Sequence, residues 1–268
     1  MRTILRIFVG CAAALVGTVC MGAVRYVPEN VKVELSLKVP GNDAVDYRLY
    51  PDKLENSYFD YEWRSEDELP MTVFHKVEEL QGRTRLTVQL TAAENVYFNY
   101  RQWINTGYRH DNCQFYMPGF WYRRNLRSPK EAPSFHTSDS WLVREDRLSA
   151  PLTGIFCEKE KRFVIVNRLD DFSMDALTTH KEGEIILSGR TSLGFTGFEN
   201  CQGVSMVSFG FPYREAPKSY IRKLTLAPEV EAFQLIKKGE SVLLTWEIME
   251  SSADDFSDFV QQTWEHCY

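Results

Sequence analysis

Val31-Lys32-Val33-Glu34-Leu35-Ser36-Leu37-Lys38-Val39 alternates without a break. Valine and leucine hold the odd positions, and lysine, glutamate and serine hold the even ones. Successive side chains of a strand point to opposite faces, so this stretch is a strand with one buried face. Pro40-Gly41-Asn42-Asp43 then ends it with turn residues. Further strands are expected over residues 71–77, 84–91 and 96–104. Residues 155–169 read as a hairpin. In it Ile155-Phe156-Cys157 enters a charged turn and Phe163-Val164-Ile165-Val166 returns. Residues 184–189, 204–211, 220–226 and 241–248 continue the series, with Lys237-Lys238-Gly239-Glu240 as the last tight turn. About ten short strands separated by turn signals predict an all-β, antiparallel β-sandwich. Residues 43–70 are acidic and aromatic without a clear period, and read as a long connection.

The helical period enters only at the end. Ser251 or Ser252 can cap a helix, and Asp254 and Asp255 load its first turn with negative charge. Phe256, Phe259, Val260, Trp264 and Cys267 then form one apolar stripe. This C-terminal amphipathic helix needs a surface to cover the stripe. That surface is either a partner beyond Tyr268, which makes residues 251–268 the start of a helical region, or the chain's own sheet.

The 268 residues are 44% hydrophobic and 25% charged, an ordinary globular composition. The N-terminus departs from it. Arg2 and Arg6 flank the start of an apolar run over residues 7–19, and Gly22 and Ala23 follow, the three-part pattern of a secretory signal peptide over residues 1–23. The run is short for a membrane span. The expected location is therefore the periplasm or the outer cell surface, with the sandwich domain over residues 24–250. Removing residues 1–23 takes away two arginines and no acid. That leaves 29 basic against 37 acidic residues and a net charge of −8. Phosphate binding needs a basic field, so no nucleic-acid partner is expected. Four cysteines remain, Cys113, Cys157, Cys201 and Cys267, which allow three pairings or free thiols. They contain no C-x-x-C, the histidines have no metal spacing, and no phosphate-binding glycine loop occurs. No metal and no cofactor is expected.

Residues 95–146 stand apart. Ten aromatics fall between Asn95 and Tyr122, followed by Arg123-Arg124-Asn125 and then Ser134-Phe135-His136-Thr137-Ser138-Asp139-Ser140-Trp141. Prolines at 118, 129, 133 and 151 interrupt any long helix or central strand. Aromatic faces stack on the C–H faces of sugar rings, fixed polar groups satisfy hydroxyls, and an arginine fork suits a uronic carboxylate or a sulfate. The candidate glycan contacts are therefore Trp121, Tyr122, Arg123, Arg124, Asn125, His136, Asp139 and Trp141. The competing reading places these aromatics in the sandwich core. His136 and Asp139 with Ser134, Ser138 or Ser140 supply triad residue types without a signature context, and Glu145 and Asp146 are candidate acids.

Taken together, the leader, the sandwich, the aromatic loop Phe115-Tyr116-Met117-Pro118-Gly119-Phe120-Trp121-Tyr122 and the final strand Val242-Leu243-Leu244-Thr245-Trp246-Glu247-Ile248 running into a helix resemble a known layout. The chain is similar to the N-terminal, supersandwich-like module of secreted Bacteroides-type glycan-degrading proteins with six-hairpin glycosidase architecture. In that family an (α/α)6 toroid follows the sandwich and holds the catalytic carboxylates. The resemblance implies a front module whose helical catalytic domain lies elsewhere, in cis or in trans. It implies no catalytic residue in this chain, and substrate contacts from the 115–146 loop. Two other readings stand beside it: a self-sufficient glycan hydrolase using the 134–146 loop, and a non-catalytic cell-envelope interaction protein.

Overall fold

The computed structural model describes residues 26–54, 60–125, 134–170, 182–217 and 229–267. The alternating stretch forms β1, Val31–Lys38, with Val31, Val33 and Leu35 buried and Lys32 exposed. The strands that follow are β2 Val45–Lys53, β3 Asp60–Arg64, β4 Met71–Leu80, β5 Arg83–Ala92 and β6 Val96–Arg109. Then come β7 Cys113–Met117, β8 Trp121–Arg123, β9 Ser140–Arg144, β10 Leu152–Cys157 and β11 Arg162–Arg168. The series ends with β12 Gly183–Ile186, β13 Phe195–Cys201, β14 Val204–Phe211, β15 Arg214–Glu215, β16 Val230–Ile236 and β17 Ser241–Ser252. Among the described residues one α-helix, α1, spans Phe256–Cys267. Residues 220–226, expected as a strand, lie outside the described residues.

The strands form two antiparallel sheets. The front sheet runs β2-β1-β6-β14-β13-β9. The back sheet runs β2-β3-β4-β5-β17-β11-β10-β7-β8. β2 belongs to both: Val45 to Leu49 pair with β1, and Tyr50 to Lys53 pair with β3. A small flap, β12-β16-β15, is tied to the front sheet where the end of β16 pairs with the start of β6. The fold is thus an all-β antiparallel sandwich with a C-terminal helix.

Residues 43–70 are not a plain connection, since they hold β2 and β3 and bury Leu49 and Trp63. Alternation is missing from β2 because the strand changes sheets halfway, and Leu49 is its one fully buried side chain.

The core lies between the sheets. Val33, Leu35, Phe98, Tyr100, Val207 and Phe209 of the front meet Val73, Val88, Leu90, Val164, Leu244 and Trp246 of the back. Each large apolar side chain removed from water stabilises the fold by about 1.5–3 kcal/mol. A polar network sits inside. His75 on β4 is fully buried, and Nδ1 faces the Tyr26 hydroxyl at 2.6 Å while Nε2 faces the Tyr100 hydroxyl at 2.9 Å. Tyr100 donates to Gln102 Oε1 at 2.6 Å, and Gln102 Nε2 donates to the Tyr26 oxygen at 3.5 Å. These bonds close into a ring only one way round: Tyr26 donates to Nδ1, and Nε2–H donates to Tyr100. Each group is then donor and acceptor once, and the bonds polarise one another.

α1 starts later than the sequence suggests. Ser251 and Ser252 still pair with β11, and the cap is Asp255, whose Oδ1 accepts from the amides of Ser257 at 2.7 Å and Asp258 at 2.9 Å. Phe256 and Phe259 are buried against Tyr116, Phe156 and Phe163 on the outer face of the back sheet. The buried part of the stripe is therefore covered by the chain's own sheet. Trp264 stays 40% exposed and donates Nε1 to the Tyr116 hydroxyl at 2.8 Å.

Candidate functional site

The loop residues expected to contact glycan do not converge. Trp121 and Trp141 are each 1% exposed, and their rings lie 4.8 Å apart in the core beside Phe198. These two candidate glycan contacts are thus sealed in the core, as the competing reading has it. Trp121 Nε1 donates to the Arg123 carbonyl at 3.0 Å, and Trp141 Nε1 to the Ser138 carbonyl at 3.1 Å. With local backbone satisfying each N–H, both rings can be buried without cost to a polar group. Tyr122 and Arg123 are exposed on the back-sheet side, where Arg123 lies 5.2 Å over Phe256. Arg124 is fastened to the chain itself, through the carbonyls of Cys113 and Asp111 and the Glu158 carboxylate. Asn125 takes a left-handed φ of 59° next to it. His136 is exposed and rests on Phe135, while Asp139 accepts from Asn200 Nδ2 at 3.0 Å.

The catalytic alternatives fare no better. Among the described residues no hydrogen bond joins His136 to Asp139 or to Ser134, Ser138 or Ser140. Glu145 is fully buried, with one oxygen accepting from Arg168 at 2.5 Å and from the Gly194 amide at 2.7 Å. Burial pushes its pKa up and Arg168 pulls it back. Asp146 is held by Arg144, which lowers its pKa against the opposing effect of burial.

A different surface brings polar groups together. Along β6 the inward residues Phe98, Tyr100, Gln102 and Ile104 leave Asn99, Arg101 and Trp103 on the outer face of the front sheet. Arg101, with residues of β9, β13 and the flap, lines an open cleft of about 490 Å³, and Trp103 lies beside it against Arg101 and Glu199. Its lining includes Arg101, Ser140, Leu142, Glu184, Glu199, Arg214, Glu215, Glu229 and Glu231.

Two arginines organise it. Arg101 bonds Glu199 and donates Nε to Ser208 Oγ at 3.3 Å, and its guanidinium lies 4.1 Å over the half-buried Trp103 ring. Trp103 Nε1 donates to Glu199 Oε1 at 3.0 Å. The indole is thus held at its edge by a carboxylate and on its face by a cation. Arg214, on the short β15, donates Nε to Asn99 Oδ1 at 2.8 Å and a terminal nitrogen to Ser36 Oγ at 2.7 Å, and it pairs with Glu231. Asn99 Nδ2 in turn donates to the carbonyls of Pro212 and Ala232, which locks the flap to β6. Burial lowers the pKa of Arg214 and raises those of Glu34 and Glu231, with the Arg214 charge opposing the rise in both acids. Glu215 pairs with Arg147, and Glu184 with Lys38. Four of the five lining carboxylates are therefore engaged by a basic side chain, an arrangement that holds a shape and a field. Among the described residues no three His, Cys, Asp or Glu side chains are grouped to hold a metal ion.

None of the expected contacts lines this cleft. The signal nearest to it is the outward row Asn99, Arg101, Trp103, of which Arg101 lines the cleft and the other two flank it.

No family model matches the chain, and no curated protein matches it. Solved structures similar to it include a Bacteroides polysaccharide lyase, at 13% identity and a TM-score of 0.45, covering 87% of this chain and 27% of the lyase. A putative aldose 1-epimerase from Escherichia coli is 10% identical with a TM-score of 0.41, covering 81% of this chain and 79% of the epimerase. A galactose mutarotase-like protein from Lactobacillus casei is 9% identical with a TM-score of 0.42, covering 82% of this chain and 85% of that one. The chain thus spans about a quarter of the lyase. Identities this low assign no residue.

Proposed function

We propose that this chain is a non-catalytic, glycan-binding sandwich module of an exported carbohydrate-active protein, and that it binds sugar in the front-sheet cleft. The observation that supports this is the Arg101-Trp103-Glu199 constellation. An indole fixed at its edge and on one face, at the margin of the cleft against the lining residues Arg101 and Glu199, is a rigid platform for a sugar ring that reaches out of it. In this reading residues 1–23 direct the chain to the periplasm or the outer surface. The module works beside a helical catalytic domain, in cis or in trans.

The charge of the cleft narrows the ligand. Arg101, Arg214, Arg147 and Lys38 pair with four of the five lining glutamates, which leaves one negative charge in excess. A uronate or sulfate would meet excess negative charge, and the lining arginines Arg101 and Arg214 are already engaged by acids of the chain itself. The lining favours a neutral glycan or one bearing amino sugars.

The test is calorimetric titration of the full chain with neutral, glucosamine-containing and uronate oligosaccharides. Trp103→Ala should weaken binding about tenfold, the weight of one aromatic contact. It should leave Tm within ~2 °C, because a half-buried side chain carries little of the core. Lack of binding across all three classes, or equal binding by Trp103→Ala, would overturn the reading.

A further inference from the structure

We infer that Cys113 and Cys157 close into a cross-strand disulfide under oxidising conditions. The register of β7 and β10 carries the inference. These strands are antiparallel neighbours, and Cys113 stands directly opposite Cys157. The amide of Glu158 donates to the carbonyl of Asn112 at 2.9 Å, immediately beside that pair. Hydrogen-bonded and non-bonded pairs alternate along an antiparallel ladder, so Cys113 and Cys157 occupy a non-bonded position. There the Cα atoms come within about 4.5 Å and the side chains are closest. A disulfide spans Cα separations of about 4.4–6.8 Å, so the backbone needs no movement. Both side chains point into the core, and both are fully buried. Cys113 Sγ now donates to the Arg109 carbonyl at 3.3 Å, and rotation about its Cα–Cβ bond turns it toward β10.

The other two cysteines among the described residues, Cys201 and Cys267, have no such position. Cys201 lies opposite Val204 at the end of the β13–β14 pair on the front sheet. Cys267 ends α1, which sits on the outer face of the back sheet.

The chemistry is thiol–disulfide exchange with a small-molecule disulfide. One cysteine loses its proton, and the thiolate attacks a sulfur of oxidised glutathione, expelling one glutathione thiolate. The second cysteine thiolate then attacks the protein sulfur of the mixed disulfide and expels the other glutathione. Two protein thiols are oxidised, one glutathione disulfide is reduced, and the two protons go to the glutathione thiolates. Burial shapes the timing. It pushes the Cys113 thiol up to about 12, so few thiolates exist in the folded chain. The bond therefore forms while the chain folds, and it is slow to form or to break afterwards. It ties Tyr116 on β7 to Phe156 on β10, the two strands whose aromatic rings seat α1.

The experiment refolds the full chain in a glutathione redox buffer, alkylates free thiols under denaturation, and digests with trypsin without reduction. The expected product is one species joining residues 110–123 to 148–159, two hydrogens lighter than the two peptides together, with Cys201, Cys267 and the leader cysteines Cys11 and Cys20 absent from any link to either peptide. Exposing the natively folded, reduced chain to the same buffer should give the product at least tenfold more slowly. A Cys201→Ser/Cys267→Ser variant should keep the link. Alkylation of both Cys113 and Cys157, or a link from either to another cysteine, would overturn the inference. Because the decisive reading is made on the unmutated chain, it does not depend on any variant folding.

Discussion

The ring around His75 makes a quantitative claim about pH. Burial alone lowers the imidazole pKa from 6.5 to about 3. Between those values the unfolded chain takes up a proton that the folded chain refuses, so stability falls as pH drops from 6.5 toward 3. From these two pKa values, His75 costs about 2 kcal/mol of stability between pH 7.5 and pH 5, and about 5 kcal/mol once pH is below 3. His110 also has its pKa lowered by burial and acts in the same direction, as do carboxylates held low by hydrogen bonds. A comparison isolates His75. In His75→Gln the amide can accept from Tyr26 and donate to Tyr100, which keeps the ring of bonds without a titrating group. Urea unfolding of both proteins at pH 7.5, 6 and 5 should show the variant losing about 2 kcal/mol less than the parent over that range. Parallel stability profiles, or a parent imidazole signal that is missing from His75→Gln and titrates near 6.5 by NMR, would refute the reasoning.

Two further changes test the packing. Arg168→Met leaves Glu145 buried without its cation and should cost about 3–5 kcal/mol by chemical denaturation, partly restored when Glu145→Gln is added. Gly154→Ala places a methyl group 2.5 Å from Phe259 Cζ, so the ring that anchors α1 must shift. A loss of about 1–3 kcal/mol and faster proteolytic release of the last residues should follow.

Much of the fold was legible in period-two patterns. β1, β4, β5 and β17 each keep one buried face over their length, so the alternation survives, while the β10–β11 hairpin, buried on both faces, was legible as two apolar runs around a charged turn. β2 was not legible, because one strand serving two sheets has no single buried face. The cap of α1 was misplaced because Ser251 and Ser252 satisfy a strand ladder first. The candidate site was harder still. An aromatic loop reads as a binding surface when indoles are assumed to need distant partners, yet Trp121 and Trp141 find carbonyls two and three residues away and sink into the core. The cleft draws Arg101, Glu199, Arg214 and Glu231 from four separate strands. Sequence spacing cannot announce a grouping made only by strand pairing across the sheet.

The double membership of β2 bears on how the molecule would yield to force. Two sheets held only by side chains can slide or open like a hinged cover, with small losses spread over many contacts. Here, along one margin, any such motion must tear main-chain hydrogen bonds from β1 or from β3, all within nine residues. That margin is a seam. A pull applied across it should meet a sharp mechanical threshold, and the opposite margin, where β8 and β9 end their sheets, should be the first to part.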